Sequence, residues 1–161
     1  MRNNSAALLR VLAATLSGRA AISLGTISTG HVSALLAGLD ITSRLIVASG
    51  DDGQIQVLNA DVPEDLRLSV HAQPLAGFLD DIAAHRFGLV LITEEGMPVF
   101  ARALDMLDVG GIVIGLGAIG PFPADSRFES AALELDDLRW LATRRQHARP
   151  SRRKRRSRSH S

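Results

Sequence analysis

Ala21-Ile22-Ser23-Leu24-Gly25-Thr26-Ile27-Ser28-Thr29-Gly30-His31-Val32-Ser33-Ala34-Leu35 is the stretch whose reading decides the fold. Its first part closes a short apolar run, Arg19 to Leu24, that reads as a buried strand. Gly25 to Gly30 is a glycine-bounded turn, and His31 to Ala37 reads as a helix stopped at Gly38. Glycines in such a turn let a ligand approach the backbone, and the helix that follows offers free N–H groups. The turn is not G-x-G-x-x-G. It also lacks the Lys-Ser/Thr of a phosphate-binding P-loop, since His31 and Val32 follow Gly30. A tight strand–helix turn and a ligand-binding loop both fit these residues.

Outward from it, strands and helices alternate. Arg44–Ala48 is a second buried strand, ending in Ser49-Gly50-Asp51-Asp52-Gly53, and Gln54 to Glu64 has no legible pattern. Leu66–Val70 alternates like a half-buried strand. Pro74 to His85 puts Leu75, Phe78, Leu79 and Ile82 on one helical face. Phe87–Ile92 is the plainest strand, Pro98 to Leu107 a helix, and Gly110-Gly111 turns the chain into a fifth strand, Ile112–Ile114. A Gly/Pro-rich loop, Gly115 to Ala124, precedes a last helix, Phe128 to Arg145. This order predicts an α/β, doubly wound, mainly parallel sheet with helices on both faces. Ligands in such sheets sit beyond the carboxyl ends of the strands, where strand order reverses. The first strand and its glycine turn are the candidates for that place.

With 161 residues the chain suits one domain able to bury roughly two-thirds of its unfolded surface. Only 4% of residues are aromatic, so the core is aliphatic. The absence of cysteine excludes a disulfide scaffold, a thiolate nucleophile and a Cys-type zinc site. No apolar run reaches the roughly 20 residues that span a bilayer, so no membrane role is expected. The start of the chain reads as an amphipathic helix with Ser5 as N-cap and Gly18 past its end, rather than as a signal peptide, and a cytoplasmic protein follows by default.

The net charge of +1 conceals a division. Residues 144–161 hold nine of the 18 cations and no acid, leaving nine cations against 17 acids elsewhere, a net of −8. The expected layout is an acidic α/β domain over 1–143 and a disordered arginine-rich tail over 144–161. The tail has the charge to bind nucleic acid, but no aromatic residue for base stacking, so such binding would be unspecific.

Three segments, taken in order, carry a resemblance. Ala21 to Leu35, then His85-Arg-Phe-Gly-Leu-Val-Leu-Ile-Thr93, then Ala103-Leu-Asp-Met-Leu-Asp-Val-Gly-Gly-Ile-Val-Ile114 resemble successive motifs of the class I S-adenosylmethionine-dependent methyltransferases. The closest match is the small O-methyltransferases of the catechol and caffeoyl-CoA type, over about residues 5–140. The resemblance implies a Rossmann-like domain that binds S-adenosylmethionine, transfers its methyl group to a hydroxyl and pairs as a homodimer.

The departures fall on the acidic positions. Ser23 stands where the family starts its first motif with Glu or Asp, and Ser49 where it places the carboxylate that grips the cofactor's ribose. Asp51 or Asp52 offers a replacement after a shift. Gly88 and Thr93 occupy two Asp positions, and the family's Asp-Asn metal pair aligns near Gly115 to Gly117. Read this way, the chain is a degenerate, C-terminally truncated relative that lacks the final antiparallel hairpin. The candidate cofactor-binding residues are Gly25, Thr26, Gly30, Ser49 and Asp51, with weak cofactor binding, no metal and no assignable catalytic residue. Glu94 and Glu95 read as solvated loop charges and His31 as an exposed ring at a helix start. His71 and His85 form no metal cluster. The function expected is weakened or metal-independent methyl transfer to an undetermined small-molecule acceptor. The alternatives are an inactive binding or dimerisation module and a nucleic-acid-associated protein acting through its tail.

Overall fold

A computed structural model describes residues 4–146. The chain runs through α1 (Asn4–Ala14), β1 (Ala21–Leu24), α2 (Thr29–Gly38), β2 (Leu45–Ser49), α3 (Asp52–Asp61), β3 (Leu68–Ala72) and α4 (Leu75–Asp81). It continues with β4 (Phe87–Ile92), a 3₁₀ turn (Glu94–Val99), α5 (Phe100–Asp105), β5 (Leu107–Leu116), β6 (Phe128–Leu135) and β7 (Leu138–Arg144). The seven strands form one sheet in the order β3-β2-β1-β4-β5-β7-β6. The first five are mutually parallel, with Ile22 beside Ile46 on one side and Val90 on the other. All five expected strands are therefore neighbours in one sheet.

The central strands β1, β2 and β4 are largely buried on both faces because they are apolar except at Ser23 and Ser49 and their side chains alternate across the sheet. Ile22, Leu24, Val90, Ile92 and Val113 face one core, closed by Leu75, Phe78 and Leu79 of α4 and Phe100, Ala103 and Leu104 of α5. Ala21, Leu89, Leu91 and Ile114 face the other, closed by Leu9 of α1, Leu35 of α2 and Leu58 of α3. Each such aliphatic side chain withdrawn from water is worth roughly 1.5–3 kcal/mol.

Two expectations fail at the C-terminal end. Phe128 to Arg145 is not a helix, and the final antiparallel hairpin is present. β7 pairs antiparallel with β5, Val113 opposite Ala142, and β6 pairs with β7, Phe128 opposite Arg144. Leu138, Trp140 and Ala142 are buried at alternate positions, a strand period that overrides the helix-forming composition. β7 ends at Arg144, one residue past the expected boundary at 143, and the Arg145 N–H still donates to the Arg127 carbonyl. The arginine-rich tail beyond residue 146 lies outside the described residues.

The other differences are smaller. Gly110-Gly111 does not precede the fifth strand but lies within it. The pairing with β4 jumps from Phe87–Leu107 to Leu89–Ile112, and Gly110, at φ +80°, supplies the left-handed residue of that bulge. The illegible stretch holds α3. At the foot of the sheet Asp65 chelates Arg67, whose Nη1 donates to the Leu39 carbonyl at 2.7 Å, tying α2 to β3. Hydrogen bonds from the Arg67 side chain and backbone hold the Asp65 carboxyl down at about 2. A depressed carboxylate stabilises the fold above its unfolded pKa and ceases to do so as pH falls through its folded one. Asp65→Asn is therefore expected to cost up to about 1 kcal/mol at neutral pH, a difference that closes as pH falls from 4 towards 2. Urea denaturation of both proteins at several pH values checks this.

Candidate functional site

Strand order reverses between β1 and β4, and over the carboxyl ends of β1, β2, β4 and β5 lies a cleft of about 840 Å³. Its wall includes Thr26, Ile27 and Ser28 of the glycine turn, Asp51 and Asp52 at the start of α3, Thr93 to Glu95 after β4, and Asp137 of the hairpin turn. This is the place at which open α/β sheets bind ligands, within the volume range of small-molecule pockets.

Gly25 ends β1 at φ +106°, and a Cβ on it would lie 1.8 Å from the Thr93 hydroxyl. Two hydroxyl side chains tie the turn down. Ser23 Oγ donates to the Gly25 carbonyl at 2.7 Å, and Thr93 Oγ1 donates to the Leu24 carbonyl at 3.1 Å. Thr26 lies on the cleft wall with its hydroxyl oxygen buried and without a hydrogen-bond partner among the described residues. Ser28 caps α2 by accepting from the His31 N–H at 3.0 Å. Gly30 belongs to the first turn of α2, beside the cleft wall rather than on it.

At the tip of β2, Ser49 is fully buried. Its Oγ donates to Glu95 Oε1 at 2.7 Å and accepts from the Asp51 N–H at 3.0 Å. Glu95 Oε2 accepts from the Gly50 N–H at 2.6 Å. Glu95 is exposed, as expected of a loop charge, and its carboxylate also clasps the end of β4 to that of β2. Asp51 lines the cleft, but one of its oxygens accepts from the Gln54 N–H at 3.1 Å as the N-cap of α3.

His31 is not exposed. It is buried, its Nε2 lies 3.0 Å from Ser5 Oγ and 3.4 Å from Asp137 Oδ1, and its Nδ1 has no partner among the described residues. Ser5 is correspondingly a buried residue inside α1, whose N–H donates to Asp136 Oδ2 at 2.9 Å, and not the N-cap. Serine and aspartate address the same ring nitrogen, so this is not a nucleophile relay, which uses both. It fastens α1 and α2 to the hairpin turn. His71 lies on β3 against Phe78 and takes no part in the cleft.

The sequence reading counted Glu95 only as a solvated loop charge near the cleft and missed Asp137. An acid three residues past the end of β4 is a signal for the first. For the second there was none while the hairpin read as a helix. With Asp51, Asp52 and Glu94 they make five carboxylates lining the cleft, and among the described residues no cationic side chain lines it. Among the described residues no group of three or more His, Asp or Glu side chains is arranged to hold a metal ion. Nor is any helix among them long and apolar enough to cross a membrane.

No family model matches the chain, and no curated protein matches it in sequence. Solved structures do match in fold. An O-methyltransferase from Bacillus cereus in complex with SAH superposes with TM-score 0.68 at 15% identity, over 89% of this chain and 80% of that one. The O-methyltransferase TomG from Streptomyces achromogenes, in complex with SAM, gives 0.70 at 14% identity, over 90% and 81%. A methyltransferase from Geobacter sulfurreducens gives 0.69 at 15%, over 90% and 80%. The chain has the Rossmann-like fold of the class I S-adenosylmethionine-dependent O-methyltransferases, final hairpin included.

Proposed function

We propose that the cleft binds S-adenosylmethionine and that the protein is an O-methyltransferase-like enzyme with weakened, metal-independent methyl transfer to a small-molecule hydroxyl. The observation that carries this reading is the cleft at the strand-order reversal, with the unpartnered Thr26 hydroxyl on its wall. A buried hydroxyl without a partner costs roughly 1–3 kcal/mol, which a polar ligand atom there relieves. Thr26 and the first N–H groups of α2 suit the amino-acid end of the cofactor, and the acids at the β2 tip suit its ribose hydroxyls. When bound, the cofactor supplies an electrophilic methyl group on a sulfonium. The protein's own part is to hold donor and acceptor in line.

The carboxylate lining sharpens the reading. S-adenosylmethionine carries one positive charge more than its demethylated product S-adenosylhomocysteine, and five carboxylates favour the extra charge. Calorimetry is expected to give a Kd of roughly tens of micromolar or weaker. The methylated form should bind more tightly than the product, the advantage should shrink as salt screens it, and Mg²⁺ should change neither. Absence of binding to both would refute the proposal. Tight binding stimulated by Mg²⁺ would replace it with an ordinary metal-dependent enzyme.

A further inference from the structure

We infer that Glu95 is the residue that recognises the hydroxyls of the bound nucleoside, a role nucleotide-binding α/β folds commonly give to an acid on the second strand. The inference rests on the cofactor reading above and names the residue that discriminates within that site. In this chain the tip of β2 carries Ser49, which has no charge. A carboxylate reaches the same spot from the other side of β1.

Three observations place it there. Ser49 Oγ and the Gly50 N–H each donate to a different oxygen of Glu95, at 2.7 and 2.6 Å, so the plane of the carboxylate is set from both ends. The backbone that delivers it is pressed onto β1, since a Cβ on the next residue, Gly96, would lie 2.6 Å from the Leu24 carbonyl. Glu95 also lines the cleft. An ionised carboxylate has about four acceptor sites, and these two bonds use one on each oxygen. Each oxygen therefore keeps a free acceptor site on a side chain bordering the cleft. Two such sites on a carboxylate of fixed orientation match two adjacent hydroxyl donors, the pattern of a ribose diol.

Asp51 also borders the cleft and keeps one oxygen unused, but a single bond from the Gln54 N–H holds its carboxylate, whereas two bonds, one on each oxygen, orient that of Glu95. The clasp instead gives Glu95 both the preorganisation and the spare acceptors that hydroxyl recognition needs.

The test measures the affinity of S-adenosylhomocysteine and of its 2′-deoxy and 3′-deoxy ribose counterparts for the wild-type protein and for Glu95→Gln. The wild type is expected to lose about 10-fold or more in affinity for each deoxy ligand. In Glu95→Gln that ratio should fall to within about two-fold of unity, because ligand hydroxyl and carboxylate then act as one coupled pair. Ser49→Ala keeps the charge but loses an orienting donor, and should give an intermediate ratio. A variant weakened through its fold alone would lose affinity for all three ligands equally and keep the ratio. That result, or a wild type indifferent to the deoxy sugars, overturns the assignment while leaving the cofactor reading intact. A wild type that binds none of the three overturns both.

Discussion

Trp140→Ala is expected to cost about 3–5 kcal/mol of folding stability, the range for deleting a large buried aromatic. Trp140 is 2% exposed. Its ring meets Phe122 edge-on at 5.0 Å and Phe100 at 5.8 Å, and lies against Gly115 of β5. Its Nε1 donates to the Gly120 carbonyl at 2.9 Å, which fixes the loop after β5. Truncation leaves a cavity among rigid rings and a carbonyl without its donor, and neither loss is repaired by a small shift. The loss is a large part of the 5–15 kcal/mol typical of a whole domain. Trp140→Phe keeps most of the ring contacts and should cost roughly 1–2 kcal/mol less than the alanine variant. Since Trp140 is the single tryptophan, the variants must be followed by circular dichroism under urea. An alanine variant less than about 1 kcal/mol from wild type would contradict the packing of β7 on β5.

The same residue shows why the end of the chain was misread. Phe128, Ala131, Ala132, Leu135, Leu138 and Ala142 recur at helical spacing, and Ala, Leu, Glu and Arg are helix formers. No glycine marks the hairpin turn. Asp136 takes the left-handed position there at φ +54°, which aspartate tolerates better than most residues. The competing signal, Leu138-x-Trp140-x-Ala142, spans five residues and gains its meaning only from β5 alongside. Strands β1, β2 and β4 were legible because they are largely buried on both faces and so read as apolar runs, whatever their partners, and β3 by the alternation of a half-buried strand. The position of the glycine turn was legible because topology alone puts it at the carboxyl edge. Glu95 and His31 were not. A carboxylate clasped 46 residues away and an imidazole held by Ser5 and Asp137 are long-range pairings that leave no local pattern.

Gly25→Ala should separate backbone constraint from ligand contact at the glycine turn. At φ +106° an L side chain is strained whatever the space around it, at about 1–3 kcal/mol. The added Cβ would also sit 1.8 Å from Thr93 Oγ1, so Thr93 must turn away and give up its bond to the Leu24 carbonyl, roughly 0.5–1.5 kcal/mol more. The expected loss is about 2–4 kcal/mol, larger still for Gly25→Val, whose branched side chain tolerates the left-handed region least. Gly30 provides the contrast, because it sits in the first turn of α2 without a positive φ, and alanine there should stay within about 1 kcal/mol of wild type. A second substitution, Thr93→Ala, removes the clashing hydroxyl but not the strain. The double variant should therefore recover only part of the loss, and the cycle should show coupling of roughly 0.5–1.5 kcal/mol. At a temperature where Gly25→Ala is still folded, its affinity for S-adenosylhomocysteine should be at least about ten-fold below wild type, because displacing Thr93 and the turn moves the cleft wall at Thr26. If Gly25→Ala and Gly30→Ala cost the same and bind alike, the turn is an ordinary strand–helix connection and the glycine at its head has no part in shaping the site.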